Sequence, residues 1–300
     1  MKAIAGRSRI KKENWLWGYS MIAPAMLGIG FFFIWPMIQT FYFSMTRWGD
    51  FGTYKFAGFD NYHRLFADHD VWKAVLNTFR YVVLAVPLSV AISILVAVML
   101  NQKIKGLSLY RTLFFLPVIT MPAAVAMVWK WLYNSDYGLL NHMLNEFSIQ
   151  GSRWLTDPQL APYSIVVVMI WSSIGFNMVI LLAGLQGISK TYYEAARIDG
   201  AGVMAQFLRI TLPGLTPTVF FVFIISLIGT LQVFDLIWMM VGNPSIVKFS
   251  TQSVVYLFYD AAFLTNEKGY AASIAVLIFV LVMVMTIIQM VFQKKWVHYE

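Results

Sequence analysis

The chain has 300 residues and a net charge of +8, and 59% of its residues are hydrophobic while only 12% are charged. Soluble proteins carry about 25% charged residues, so this composition excludes an ordinary pair of soluble domains. The absence of cysteine excludes a disulfide framework and a catalytic thiol, and the four scattered histidines show no metal-binding spacing, so we expect no metal site.

Six apolar blocks are long enough, or nearly so, to cross a bilayer as helices, which takes about 20 residues each. We therefore predict an all-α polytopic membrane protein with about six transmembrane helices in one domain, residues 1–300. Asp235 is the one acidic residue within these blocks. The predicted spans are residues 16–42, 79–100, 109–133, 161–185, 215–241 and 271–292.

The first block begins after a basic segment, as a signal peptide does, but its apolar run continues through Phe43. We interpret it as an uncleaved signal anchor. More than half of the Lys and Arg residues fall in the N-terminus, the C-terminus and the connections after the second and fourth spans. The positive-inside rule then predicts that both termini are cytoplasmic. This distribution also explains the net positive charge without a nucleic-acid partner.

The connection after the fourth span, residues 187–214, is longer than a simple turn and is patterned for helices. Thr191 and Glu194 fit a capping box, which predicts a helix over 192–199 that ends at Gly200. A second helix is expected over 203–211, stopping before Pro213. Such a short helix suits either a groove on a soluble partner or the lipid surface, and local features leave both readings open.

The same loop carries a family motif. Glu194-Ala195-Ala196, Gly200, Ile210, Leu212 and Pro213 are spaced as EAA-x3-G-x9-I-x-LP. This resembles the signature loop of permease subunits in binding-protein-dependent ABC importers, and residues 193–201 resemble the carbohydrate-uptake branch with the maltose and glycerol-3-phosphate systems. Gly242-Asn243-Pro244-Ser245 departs from the Gly-Gly-Pro-Thr turn that is usual in this branch.

The resemblance implies a function and a set of partners. The chain would be the permease subunit that passes a sugar or sugar-like solute into the cytoplasm of a bacterium or archaeon, across the cytoplasmic (inner) membrane. It would work with a cytoplasmic ABC ATPase dimer, a second and different permease subunit, and an extracytoplasmic solute-binding protein. No G-x4-GK[ST] loop occurs in the chain, so we expect no enzyme activity and no cofactor here, with ATP and magnesium bound by the partner ATPase.

Two groups of residues are expected to carry this function. The first couples the permease to the ATPase: Glu194, Ala195, Ala196, Asp199, Gly200, Ile210, Leu212 and Pro213. The second would line the solute path, because polar groups within spans often face a cavity and nearby aromatic faces can hold a sugar: Asn177, Gln232, Asp235, Phe176 and Tyr256. Hydrogen bonding between helices is the alternative explanation for each polar member of the second group.

Two other functions are alternatives to the importer. An ion-gradient-driven secondary transporter would be expected to show internal repeats and coupling carboxylates, and the two halves of this chain show no convincing repeat. A membrane-embedded enzyme would need a nucleophile with its base, or a metal set, and the spans contain no such cluster.

Overall fold

The computed structural model describes residues 2–49, 52–102, 105–242 and 245–296, and these are mostly helical. By its contacts the chain forms two compact units. The first comprises residues up to Leu65 together with Ala261–Val276, and the second comprises Phe66–Asp260 together with the residues from Leu277. The all-α membrane fold predicted from the sequence is confirmed.

The first unit starts with one long apolar helix and a small hairpin. Helix α1 (Lys2–Ile29) passes through a π-turn (Gly30–Ile34) into α2 (Trp35–Ser44), and Trp17–Ser44 is long and apolar enough to cross a membrane. Strands β1 (Thr46–Trp48) and β2 (Tyr54–Phe56) then pair antiparallel. The buried Asn61 amide on α3 (Asp60–Ala67) donates to the Ser44 and Thr46 carbonyl oxygens, each at 2.8 Å, and so fixes the helix end to the hairpin.

The second unit is built on three long helices, α4 (His69–Leu100), α8 (Ala161–Gly187) and α11 (Leu212–Leu231). Tyr81 and Ile165 share one buried cluster near the starts of α4 and α8. Leu100 and Leu185 share another near their ends, where the start of α11 joins them through Leu215. Helices α4 and α8 therefore run parallel, and α11 begins where they end.

The third predicted span, residues 109–133, is a bent pair of helices rather than one straight helix. Between helix α5 (Leu107–Ile119) and helix α6 (Pro122–Leu132) the helix axis bends by 102°. Proline forces the residue before it out of the helical region, and Met121 accordingly has ψ 135°. Within the described residues, five helices of spanning length and this bent pair together correspond to the six spans that hydropathy predicted.

The fifth predicted span, residues 215–241, is wrong at both ends. The spanning helix covers Val203–Leu231, and a break at residues 232–234 separates it from the short helix α12 (Asp235–Val241). A break in a membrane helix frees backbone carbonyl groups, which need new partners. The Ser253 hydroxyl donates to the Val233 carbonyl oxygen at 2.6 Å and satisfies one of them.

The connection before the last span is folded onto α4. It contains α13 (Lys248–Thr251), α14 (Val254–Tyr259) and a π-turn (Asp260–Leu264), and it leads to α15 (Lys268–Trp296). Three buried side chains of α4 hold it through its backbone. The Asn77 amide donates to the Phe249 and Gln252 oxygens, the Tyr81 hydroxyl donates to the Thr251 oxygen, and the Thr78 hydroxyl accepts from the Val254 amide.

Candidate coupling loop and solute cavity

The predicted helix in the loop after the fourth span is present as α9 (Lys190–Ile198). Its N-cap is Ser189, whose hydroxyl accepts from the Thr191 amide at 3.3 Å. The capping box expected from Thr191 and Glu194 is therefore wrong. Both Ser and Thr can cap a helix, and here the serine two residues earlier adopts the extended backbone that a cap requires.

Gly200 ends α9 as the sequence predicts. Its φ is +77°, in the left-handed region that favours glycine. The Gly200 amide donates to the Arg197 oxygen at 3.1 Å, and the Ala201 amide donates to the Ala196 oxygen at 2.8 Å. These two bonds form the Schellman arrangement that satisfies the last carbonyl groups of a helix, so the direction of the chain beyond Gly200 is fixed.

The second helix does not stop before Pro213. Helix α10 (Val203–Gln206) continues through a π-turn (Phe207–Thr211) into α11, and Pro213 lies in the first turn of α11. A proline ring clashes with the carbonyl group four residues earlier in a regular α-helix. The π-turn immediately ahead, where the Leu212 amide bonds to the Phe207 oxygen five residues back, shifts this register and lets the helix pass the proline.

Helix α9 packs on little else among the described residues. None of its residues is buried, and Glu194, Ala195, Asp199 and Gly200 are all exposed. The exposed surface is partly apolar, with Ile198 87% and Val203 84% exposed. A polar helix with exposed small and apolar residues at its end is a surface that a partner can cover.

In the described chain, one side-chain hydrogen bond joins α9 to the first turns of the fifth spanning helix, residues 203–214, which we call its foot. The Tyr193 hydroxyl lies 3.0 Å from the Thr211 hydroxyl, and Thr211 is buried. A second bond, from the Gln206 amide to the Ala201 oxygen at 2.7 Å, closes the turn between α9 and α10. Sequence reasoning missed Tyr193 and Thr211, since 18 residues separate them and no periodic pattern relates them.

The remaining predicted coupling residues lie at the same foot. Ile210 and Leu212 flank Thr211 and are half-buried, as is Pro213. At Gly214 an added Cβ would lie 3.2 Å from the Ile188 side chain, so the start of α11 passes close to the end of α8. The loop thus connects the exposed helix to two spans at once.

A cavity of about 410 Å³ lies within the second unit. Asn177, Phe176, Ser172 and Ser226 are among its lining residues. Asn177 is buried, the Ser226 hydroxyl donates to its oxygen at 3.3 Å, and its side-chain nitrogen has no hydrogen-bond partner in the described chain. The Ser172 hydroxyl is also buried without a partner there. Unsatisfied donors beside a cavity are available to a hydroxylated ligand.

The other three residues predicted for the solute path do not line this cavity. Gln232 and Asp235 are exposed at the break after α11. Tyr256 is fully buried; its hydroxyl donates to the Gly242 oxygen at 3.2 Å, and its ring packs on Phe234 and Trp238. Burial, helped by the Asp260 carboxylate, raises the pKa of Tyr256 to about 12, so this hydroxyl is a neutral donor at physiological pH.

Residues 65–298 match the family described as binding-protein-dependent transport system inner membrane component. The chain belongs to this family. It is 35% identical to the probable ABC transporter permease protein YesP of Bacillus subtilis (strain 168), over 97% of this chain and 94% of that protein. It is 33% identical to the lactose transport system permease protein LacF of Rhizobium radiobacter, over 96% and 97%.

Two further comparisons extend the match. The trehalose/maltose transport system permease protein MalF of Thermococcus litoralis is 32% identical over 94% of this chain and 95% of that protein. The crystal structure of a bacterial alginate ABC transporter in complex with alginate pentasaccharide-bound periplasmic protein contains a chain of the same fold. That chain matches with a TM-score of 0.83 and 23% identity over 96% of each chain. This chain is accordingly a multi-pass membrane permease subunit.

We expect Gly200→Val to loosen the end of α9. A β-branched residue in the left-handed region costs about 1–2 kcal/mol, so hydrogen exchange at the Gly200–Ala201 amides should accelerate about tenfold. Hydrogen–deuterium exchange of the purified protein measures this. Gly202→Val is the matched control, because Gly202 has φ −69° and an added Cβ there meets nothing within 4 Å. Equal exchange rates in both variants would contradict the conclusion that the left-handed conformation of Gly200 ends α9.

Proposed function

We propose that this permease subunit carries a sugar or sugar-like solute into the cytoplasm, driven by ATP that a separate ATPase dimer hydrolyses. The observation that carries the proposal is the exposed helix α9, which is tied through Tyr193 and Thr211 to the foot of a spanning helix. A displayed helix that is bonded to a spanning helix can pass a displacement from a soluble partner into the membrane part of the protein.

The proposed partner at α9 is the cytoplasmic ATPase. Its groove would receive α9 by the contact of an amphipathic helix with an apolar groove. Ala195 keeps the approach close, Ile198 supplies apolar area, and the exposed Glu194 supplies the polar contact. ATP and magnesium would be bound by that partner, and no enzyme activity is assigned to this chain.

The mechanism follows from the connections of the loop. Closure of the ATPase dimer displaces α9, and the displacement reaches α11 through the Tyr193–Thr211 bond and the Schellman turn. Helix α11 lines the cavity through Ser226 and Thr230, so its movement changes the cavity walls. ATP can drive this switch only if it binds the closed arrangement more tightly than the open one.

The proposed setting is the cytoplasmic (inner) membrane of a bacterium or archaeon, with both termini in the cytoplasm. Helices α4 and α8 then run inward, which places α9 at the cytoplasmic face. A second, different permease subunit would complete the path, and an extracytoplasmic binding protein would deliver the solute. Relatives named for lactose and for trehalose/maltose transport support a sugar as the solute class.

Within the cavity, the proposed solute contacts are Asn177 and Phe176. The buried Asn177 amide has a free donor, and the ring of Phe176 supplies an apolar face for a sugar. Gln232 and Asp235 remain proposed contacts nearer the outer surface, where the break after α11 exposes them. The buried Tyr256 would act by holding that break rather than by touching the solute.

The first prediction concerns docking. Capture of the tagged chain from the membranes of its own organism should bring down an ATPase and a second permease, and Glu194→Arg should lose the ATPase. The variant replaces the proposed polar contact at Glu194 by a longer side chain of opposite charge. Glu146→Arg is the matched control, because this exposed carboxylate lies on α7 (Leu139–Glu146), away from the loop. Transport by the chain alone on an ion gradient would refute the proposal in favour of a secondary transporter.

The second prediction concerns transmission. Tyr193→Phe should leave the ATPase bound but lower the number of solute molecules moved per ATP about two- to tenfold, since one hydrogen bond contributes about 0.5–1.5 kcal/mol. Thr211→Val should have the same effect, and the double variant should be no worse than either. The neighbouring, more exposed Tyr192 supplies the control Tyr192→Phe. Additive losses in the double variant would mean that the two hydroxyls act independently.

The third prediction concerns the cavity. Asn177→Leu should raise the KM for solute uptake about tenfold at unchanged protein level, because the leucine cannot replace the lost hydrogen bond. Lactose, trehalose and maltose form the first panel of solutes. Gln289→Leu is matched, since Gln289 is also a buried amide without a partner in the described chain but does not line the cavity. An equal effect of both changes would assign Asn177 to folding.

A further inference from the structure

A second cavity, of about 650 Å³, lies at the opposite end of α4 from the coupling loop. Lys73, Asn77 and Arg80 of α4 line it, together with Gln159 and Tyr163 near the start of α8 and Ser250 of α13. None of these residues lines the cavity that contains Asn177. The two cavities are therefore separate, and the function proposed for the first leaves the second without a role.

The charge of this cavity has one sign. Lys73 and Arg80 are its two cations, and none of its described lining residues is acidic. Neither cation forms an ion pair with a described carboxylate; the Lys73 nitrogen lies instead 5.6 Å from the centre of the Phe249 ring. Like charges in one concave site repel each other and concentrate a positive potential there, which a bound anion relieves.

The floor of the cavity is rigid. Asn77 is buried, and its amide donates to the Phe249 oxygen at 3.1 Å and to the Gln252 oxygen at 3.2 Å. These bonds fix α13, which carries Ser250, against the face of α4 that carries the two cations. Lys73, Arg80 and Ser250 therefore line one space whose two backbone walls, α4 and α13, are held together by these bonds.

We propose that this cavity binds an acidic group, a carboxylate or a phosphate. Arg80 can donate two parallel hydrogen bonds to such a group, and Lys73 supplies a second full charge. The Gln159 amide and the Tyr163 hydroxyl can donate to further oxygens of the same ligand, for example the hydroxyl groups of a saccharide. The ligand class is therefore an acidic saccharide or a phosphate-bearing molecule.

The position along α4 gives this acidic group two sources. Helix α4 has 32 residues, whereas about 20 cross the hydrocarbon core, so its first dozen residues project into the headgroup region or beyond. Lys73 lies in that projecting part, and Arg80 lies at its junction with the membrane-crossing part. A phospholipid headgroup can reach them from the membrane, and an acidic saccharide can reach them from the aqueous side.

The test uses the full chain in nanodiscs of phosphatidylcholine. Calorimetry with galacturonate, and with galactose as its neutral counterpart, measures the soluble source. Mass spectrometry of phospholipid retained from an equimolar mixture of phosphatidylglycerol and phosphatidylcholine measures the lipid source. The variant is Lys73→Gln with Arg80→Gln, and the matched control is Lys55→Gln with Arg153→Gln, two exposed cations that do not line the cavity.

We expect the variant to weaken binding of one of these probes at least about tenfold while the control leaves it unchanged. Loss of galacturonate binding assigns the site to an acidic saccharide, and loss of phosphatidylglycerol retention assigns it to a lipid headgroup. If the double variant does not fold, NaCl is titrated into the wild-type sample instead. The proposal then requires binding of the probe to weaken as the salt concentration rises. Binding of neither probe, or binding that the variant and the salt leave unchanged, overturns the proposal.

Discussion

Backbone amide and carbonyl groups at membrane depth must find hydrogen-bond partners within the protein, and the rest of this structure depends on how that requirement is met. Unbroken helices meet it by themselves. Where the fifth span breaks after Leu231, the Ser253 hydroxyl takes over at the Val233 carbonyl. Three side chains within two turns of α4, Asn77, Thr78 and Tyr81, then bond to the backbone of the following connection. Helix α4 thus satisfies backbone groups of the irregular connection before the last span.

Hydropathy predicted the existence and order of the spans well, since length and absence of charge decide whether a helix can cross a bilayer. It did not predict the bend at Thr120–Met121 or the break at residues 232–234, because the helices on both sides are apolar and the polar Gln232 and Asp235 could also lie inside a span beside a cavity. Pro122 was visible in the sequence, but a proline in a membrane helix can produce either a mild kink or a full bend. Packing against α8 and α12 decides between them, and that information is not local.

In the loop of residues 187–214, the features that depend on neighbouring residues were predictable. The contacts between residues far apart in the sequence were not. The positive φ of Gly200 follows from the glycine requirement of a helix end. The N-cap was placed two residues too late, because Ser189 and Thr191 carry the same hydroxyl chemistry. The Tyr193–Thr211 bond joins residues that only the folded loop brings together. The cavity hydroxyls of Ser172 and Ser226 were missed for a related reason, since serine on a membrane helix usually bonds to its own backbone.

The Tyr193–Thr211 bond has a mechanical consequence. Without it, α9 would be joined to α11 only through the turn at Gly200 and α10, and a load on α9 would act on the backbone bonds of that turn alone. With it, and with the Gln206 side-chain amide bonded to the Ala201 oxygen, α9, α10 and the turn between them are held together at two points. Two points of attachment restrict rotation, so a displacement of α9 would move the start of α11 instead of bending the turn at Gly200. The proposed load on α9 would therefore reach α11 with less rotation at the turn, because the Tyr193 and Thr211 hydroxyls lie 3.0 Å apart.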